Sequence, residues 1–261
     1  MAGHILCSPG SSGLSFALAR QLLQHTKQPL FATARKDLGA TKQRLLEGLD
    51  VDASRITMLQ VDYKDEATVS EAASQMKQQL GKEGYLRLAL FTPGVLINPE
   101  KTPKQINYDD SLETFKVNTL GPMLAIKHFS DLLPKRGAKL TQEDGLPSDL
   151  AVFAIMTARV GSIADNKLGG WFAYRASKAA SNQLSKTLQN NLQMTKRPAI
   201  SVTLHPGTVK THLSREFWAS TKEEKLFSPE FSACKLHEVI QTLTTESGGR
   251  QFDWKGEQIP Y

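Results

Sequence analysis

The chain lacks the marks of several large protein classes. It has two cysteines in 261 residues, Cys7 and Cys234, far apart in sequence. A disulfide-built scaffold is excluded, and a reducing compartment is expected. No apolar run approaches the roughly 18–20 residues that span a bilayer, so no membrane partner is expected. The opening Met-Ala-Gly-His-Ile-Leu-Cys-Ser-Pro has no basic stretch ahead of an apolar one. No secretory signal is therefore expected, and the expected location is cytoplasmic. The formal net charge is only +6, and lysines and arginines never gather into one block. This argues against a nucleic-acid partner. His205 and His212 lie seven residues apart across a loop without a supporting cysteine or carboxylate pattern, so no metal site is expected. There is no internal repeat and no low-complexity tract.

What is present is an alternation of short apolar runs with helical segments. With 40% hydrophobic residues, the chain can bury one large core. The pattern predicts an α/β fold, a seven-stranded, mostly parallel sheet with helices on both faces. Strands are expected at 3–8, 29–34, 55–61, 87–92, 150–157, 199–204 and 250–253. Helices are expected at 13–26, 40–48, 65–81, 109–133, 168–194 and 229–246. The runs 88–91 and 150–155 are continuously apolar, as strands covered on both faces should be. Two polar stretches break the rhythm. Residues 135–148 read as a surface insertion. Residues 212–228 carry Phe217, Trp218 and Phe227 among charges and read as a lid over an apolar ligand.

The most informative stretch is Tyr174-Arg-Ala-Ser-Lys178. On a helix, positions i and i+4 share a face, so Tyr174 and Lys178 can address one substrate. A phenol has a reference pKa of about 10 and is a poor base at neutral pH. An ammonium about 4 Å away is worth roughly 4 kcal/mol at an effective dielectric near 20, or about three pKa units. The pair is therefore expected to bring Tyr174 toward neutrality. After the first strand, Ser8-Pro9-Gly10-Ser11-Ser12-Gly13-Leu14-Ser15 leads into a helix. Glycines and a free helix N-terminus suit a pyrophosphate. The second strand ends in Arg35-Lys36, with no acidic residue to hold a ribose 2′-hydroxyl. An arginine fork suits a 2′-phosphate.

Together these segments resemble the short-chain dehydrogenase/reductase family, and within it the C-factor/sniffer-like carbonyl reductase branch. The likeness runs from the first strand to Trp254–Tyr261, which implies one Rossmann-fold domain over 1–261. Its nucleotide-binding part would span about 1–110 and its catalytic and substrate part about 110–261. The resemblance implies NADP(H) as cofactor and a small-molecule carbonyl or alcohol as substrate. The implied catalytic residues are Tyr174, Lys178 and Asn118, the last in Phe115-Lys-Val-Asn118-Thr-Leu-Gly-Pro122 and anchoring a water relay behind Lys178. The implied cofactor contacts are Ser8, Gly10, Ser12, Gly13, Leu14, Arg35, Lys36, Asp62, Tyr63, Gly94, Tyr174, Lys178, Pro206, Gly207, Val209 and Thr211. The family's paired helices imply a homodimer or homotetramer, with Leu184, Leu188 and Leu192 as an apolar stripe.

The chain also departs from the family pattern. Pro9 and Ser15 stand at glycine positions of the phosphate turn. Phe91-Thr92-Pro93 replaces an Asn-Asn-Ala run, leaving Gly94. The catalytic serine position is Ala158. Thr157 or Ser162 could stand in, although adjacent strand residues point to opposite faces. Losing an oxyanion donor costs about 10²–10³ in rate. The alternative reading is therefore a catalytically weakened nucleotide-binding protein with a signalling or regulatory role.

Overall fold

The computed structural model describes residues 3–261. The chain alternates strand and helix: β1 (Gly3–Ser8), α1 (Gly13–His25), β2 (Leu30–Ala34), α2 (Leu38–Leu46), β3 (Ile56–Gln60), α3 (Glu66–Leu80), β4 (Tyr85–Phe91). A split helix follows: α4 (Tyr108–Phe115), a π-helical turn (Lys116–Leu120) and α5 (Gly121–Phe129). Then come β5 (Ala151–Met156), α6 (Phe172–Met194), β6 (Ala199–His205), the short strands β7 (Thr208–Val209) and β8 (Leu226–Phe227), α7 (Pro229–Gln241), β9 (Gln251–Asp253) and β10 (Gln258–Ile259).

The main sheet has eight strands in the order β10-β9-β6-β5-β4-β1-β2-β3. Its pairings are parallel except β9 with β10. The seven strands expected from sequence form. The eighth, β10, pairs only at Gln258 and Ile259 and is too short to give an alternation signal. Along β1, Ile5 and Cys7 pack into one core and Leu6 into the other, which follows from the period of two along a strand. One core takes α1, α2 and α7; the other takes α3, α5 and α6.

The order reverses between β1 and β4, which are neighbours although β2 and β3 lie between them in sequence. In open α/β sheets ligands bind outside the carboxyl ends of the strands at such a switch point. Ser8 and Phe91 end these strands and are in register, so the segments from Pro9 and from Thr92 open the same crevice.

The expected helix over 109–133 is interrupted. Pro122 has no N–H to donate, and the turn before it widens to π geometry over Lys116–Leu120. The insertion over 135–148 forms no helix or strand. It is tied down by Arg87, a fully buried residue on β4 that donates to the carbonyl oxygens of Pro147, Ser148 and Leu150. No helix among the described residues is long and apolar enough to cross a membrane.

Candidate active site

Four elements meet at the carboxyl end of β4 and β5. Helix α6 carries Tyr174 and Lys178, which are 8% and 3% exposed. The Lys178 ammonium lies 5.7 Å from the Tyr174 ring centroid. It donates to the Met156 carbonyl at the end of β5, at 3.1 Å. Gly94, beyond β4, lies against it: a Cβ there would come within 3.6 Å of Lys178 Nζ and 3.9 Å of Asn118 Oδ1. Asn118 sits in the π turn, fully buried. Its Oδ1 accepts from the Val95 N–H at 2.8 Å, and its Nδ2 donates to the Val95 carbonyl at 2.9 Å and to Ser177 Oγ at 3.1 Å. The amide thus clamps the loop after β4 to the helix that bears the tyrosine.

Burial pushes the Tyr174 phenol up to about 12 and the Lys178 ammonium down to about 8. This corrects the expectation that Lys178 draws Tyr174 toward neutrality. Both groups are desolvated, and desolvation favours the neutral form of each. At pH 7 the phenol therefore holds its proton, as an acid should. His205, at the end of β6, is pushed down to about 4 by burial and then by the nearby Arg159, so it is neutral at pH 7.

The two expected stand-ins for the missing serine point elsewhere. Thr157 is 3% exposed, and its hydroxyl donates to the Lys178 carbonyl of α6 at 3.3 Å. Ser162 Oγ accepts from the Asp165 N–H within its own loop, at 3.0 Å. Ala158 lies between them, half-buried, as the residue before the turn Arg159–Gly161.

At the nucleotide end, Gly13 opens α1 with φ +56°, a left-handed value that favours glycine. Ser12 precedes it without a side-chain cap, so the first N–H groups of α1, Leu14 among them, receive no hydrogen bond from the N-cap side chain. A Cβ on Gly13 would meet the Thr211 methyl at 3.3 Å, so the turn and the loop after β6 face each other. Arg35 and Lys36 are exposed beyond β2, and neither forms an ion pair among the described residues.

Other residues expected to touch a nucleotide have partners within the protein. Ser8 Oγ is buried against Thr33 Oγ1 at 2.7 Å and the Tyr63 hydroxyl at 2.6 Å. The Gly10 N–H donates to the Thr33 carbonyl at 2.8 Å. Asp62 Oδ1 accepts from the Lys64 N–H at 3.0 Å. The Val209 carbonyl already accepts from Ser214 Oγ and the Thr211 N–H, while Pro206 accepts from Ser232 Oγ. Gly207, at φ +77°, is pressed on Phe227, whose ring a Cβ would approach to 2.5 Å. Pro9 enters the turn through a cis peptide bond from Ser8.

The 212–228 segment is built of short 3-10 turns and β8. Leu213 reaches within 3.5 Å of a Cβ at Gly94, and Phe217 packs on Trp171 with ring centroids 4.9 Å apart. Trp171 in turn lies edge-on to Tyr174 at 6.0 Å. Three contributors were not read from sequence. Ser177 and Ser181 hold Asn118 from α6, and Trp171 adopts a left-handed backbone at φ +53°. The serines had a signal, since 177, 181 and 185 recur at i, i+4, i+8 on a buried face. Trp171 had none, because its backbone conformation runs against its residue type.

Residues 3–93 match the KR domain family. The 1-hydroxy-2-glutathionyl-2-methyl-3-butene dehydrogenase of Rhodococcus sp. (strain AD45) is 30% identical over 248 residues, covering 94% of each chain. The chain belongs to the short-chain dehydrogenase/reductase family. Another relative in this family is the C-signal of Myxococcus xanthus, 34% identical over 160 residues, or 60% of this chain and 81% of that protein. Among solved structures, the NADPH-bound carbonyl reductase from chicken fatty liver has a TM-score of 0.83 at 24% identity, covering 100% of this chain and 99% of that one. The carbonyl reductase Sniffer of D. melanogaster has a TM-score of 0.79 at 21% identity, with both chains fully covered. These two likenesses show a shared fold over the whole chain.

Proposed function

We propose that this short-chain dehydrogenase/reductase is an NADP(H)-dependent carbonyl reductase acting on a small-molecule carbonyl in the cytoplasm. The observation that carries the reading is the convergence of a buried, protonated Tyr174 with Lys178, Asn118 and Gly94 at the switch-point crevice. The family match and the NADPH-bound structural neighbour support it.

The residues present fit a dinucleotide. Residues 1–110 would hold most of it and 110–261 the substrate. The open N-terminus of α1 and the left-handed Gly13 would receive the pyrophosphate, and Arg35 and Lys36 a 2′-phosphate. Lys178 would hold ribose hydroxyls, and Thr211, which faces Gly13, the nicotinamide amide. Bound NADPH supplies the hydride.

Tyr174 donates its proton to the carbonyl oxygen as that oxygen gains charge. Lys178, charged below about 8, stabilises the phenolate left behind. Asn118 keeps the loop after β4 against α6 and so fixes Lys178 beneath the substrate. Trp171, Leu213 and Phe217 exclude water, and 212–228 opens and closes over the substrate. The regulatory alternative is not favoured, since a relative that matches over 94% of the chain is named a dehydrogenase.

The protein is expected to assemble as a homodimer or homotetramer. The stripe at 184, 188 and 192 is not the exposed face: Leu188 and Leu192 are 5% and 1% exposed and belong to the core. Exposed apolar side chains lie instead on the split helix, at Tyr108, Leu112, Leu120 and Met123. Light scattering giving a mass near the 28.8 kDa of one chain would contradict an oligomer. The activity is tested by NADPH oxidation with a panel of carbonyls, with Tyr174→Phe expected to abolish it. A rate unchanged in that variant would place the activity elsewhere.

A further inference from the structure

The phosphate turn itself contains no basic residue: it reads Ser8-Pro9-Gly10-Ser11-Ser12-Gly13. An arginine nonetheless lies on it. Arg44, from the last turn of α2, donates through Nη2 to the Ser11 carbonyl. Its guanidinium stands over the Phe16 ring, 5.2 Å from the centroid, and Phe16 belongs to the first turn of α1. The residue is exposed, so its remaining N–H groups are open to a ligand. It is thus fixed by a hydrogen bond on one side and a ring beneath it, which lowers the entropy lost when a ligand is bound.

Beside it is an open groove of about 590 Å³, lined by Ser11, Ser12, Gly13, Phe16, Arg20, Arg44 and Glu47. Arg20 is committed elsewhere. Its Nη1 donates to the carbonyls of Arg44, Leu45 and Glu47 at 2.8–3.0 Å, closing the end of α2. Glu47 forms no ion pair with either arginine, so the charge of Arg44 is not neutralised within the groove. The groove shares Ser12 and Gly13 with the N-terminus of α1, and β2, parallel to β1, delivers Arg35 to the same end of the sheet. An anionic group attached to a ligand on that N-terminus would therefore reach Arg44.

We propose that Arg44 is a specificity-determining residue of the nucleotide site, receiving the nucleotide's 2′-phosphate from α2 while Arg35 and Lys36 approach from β2. The inference rests on the NADP(H) reading above. It adds a residue from a different element and gives a reason for the Arg44–Ser11 bond. A guanidinium carries five donors in a fixed fork and can keep Ser11 while gripping a phosphate bidentately, whereas an ammonium is a point charge without the fork and an amide is uncharged.

The test is calorimetry on the whole protein with adenosine 2′,5′-bisphosphate and with 5′-AMP. The wild type should bind the bisphosphate more tightly. Arg44→Ala should weaken the bisphosphate by about tenfold to hundredfold, the range for a charge-assisted contact, and leave 5′-AMP unchanged. Phe16→Leu, which removes the ring without touching a charge, should cause a smaller loss with the same selectivity. Equal weakening of both ligands by Arg44→Ala would make Arg44 a support for the turn only and overturn the proposal. Retention of the wild-type preference in Arg44→Ala would overturn it too. A wild type that binds both ligands equally would instead bring down the NADP(H) reading, and the proposal with it.

Discussion

Gly161 and Lys178 are packed backbone to backbone. A Cβ at Gly161 would lie 2.8 Å from Lys178 C and Cβ and 3.0 Å from its carbonyl oxygen. Two of these atoms are backbone and the third is Cβ, fixed directly to it, so none can turn aside. Gly161→Ala must therefore push the turn Arg159–Gly161 away from α6, and Lys178 with it. Overpacking of this kind costs about 1–3 kcal/mol. The expected result is a lowered melting temperature together with a loss of kcat beyond what folding explains. A variant as stable and as active as the wild type would show that the turn has room to move.

The titrations give a direction for the pH profile. Tyr174, pushed up to about 12, stays protonated through the accessible range. Lys178, at about 8, loses its charge as pH rises through that value. Reduction uses the protonated phenol and the charged ammonium, so kcat/KM for carbonyl reduction should be level below pH 7 and fall above about pH 8. The residual rate of Lys178→Arg should show no falling limb there, because a guanidinium keeps its charge. A wild-type profile flat to pH 10 would remove Lys178 as the titrating group.

Asn118 offers a separate check on how the site is held. Asn118→Ala leaves the half-buried Val95 N–H without its acceptor, at a cost of about 1 kcal/mol. Asn118→Asp keeps an acceptor for the Val95 N–H but loses the donor to the Val95 carbonyl and to Ser177. Both variants should melt earlier, and both should lose kcat more than KM rises. A change confined to KM would mean that Asn118 serves substrate binding and not the placement of Lys178.

The legible parts of this molecule are those where periodicity and burial agree. Strands such as β5, apolar at every position and buried at every position, announce themselves. The shared face of Tyr174 and Lys178 also follows from helical spacing alone. The electrostatics did not follow, because spacing gives the attraction between the two groups but not the desolvation that outweighs it. The split of the long helix was half-legible: Pro122 marks a disruption, but the π turn that presents Asn118 depends on how the flanking segments pack. Arg44 was silent in the sequence. An arginine late in an amphipathic helix reads as solvated, and only the fold of α2 back toward the first turn brings it onto Ser11.

Ala158 should limit the chemical step. As hydride arrives, the carbonyl oxygen becomes alkoxide-like, and a donor aimed at that state lowers the barrier more than it aids binding. Tyr174 supplies one donor, and the Ala158 methyl supplies none. The nearby hydroxyls are engaged: Thr157 with the Lys178 carbonyl, Ser162 with the Asp165 N–H. Ala158→Ser should therefore raise kcat, by roughly tenfold or more if the new hydroxyl reaches the place where a lost donor costs about 10²–10³. Thr157→Val should cost about 1 kcal/mol of stability from its hydrogen bond and leave kcat nearly unchanged. The measurement is NADPH oxidation with a reactive dicarbonyl for wild type, Ala158→Ser, Thr157→Val and Ser162→Ala. If Thr157→Val or Ser162→Ala abolishes turnover while Ala158→Ser adds nothing, that hydroxyl turns toward the substrate when ligands bind, and Ala158 is not the limit. If the wild type is inert and Ala158→Ser restores turnover, the chain has kept the fold and the proton donor while giving up the second oxyanion contact, and the regulatory reading becomes the better one.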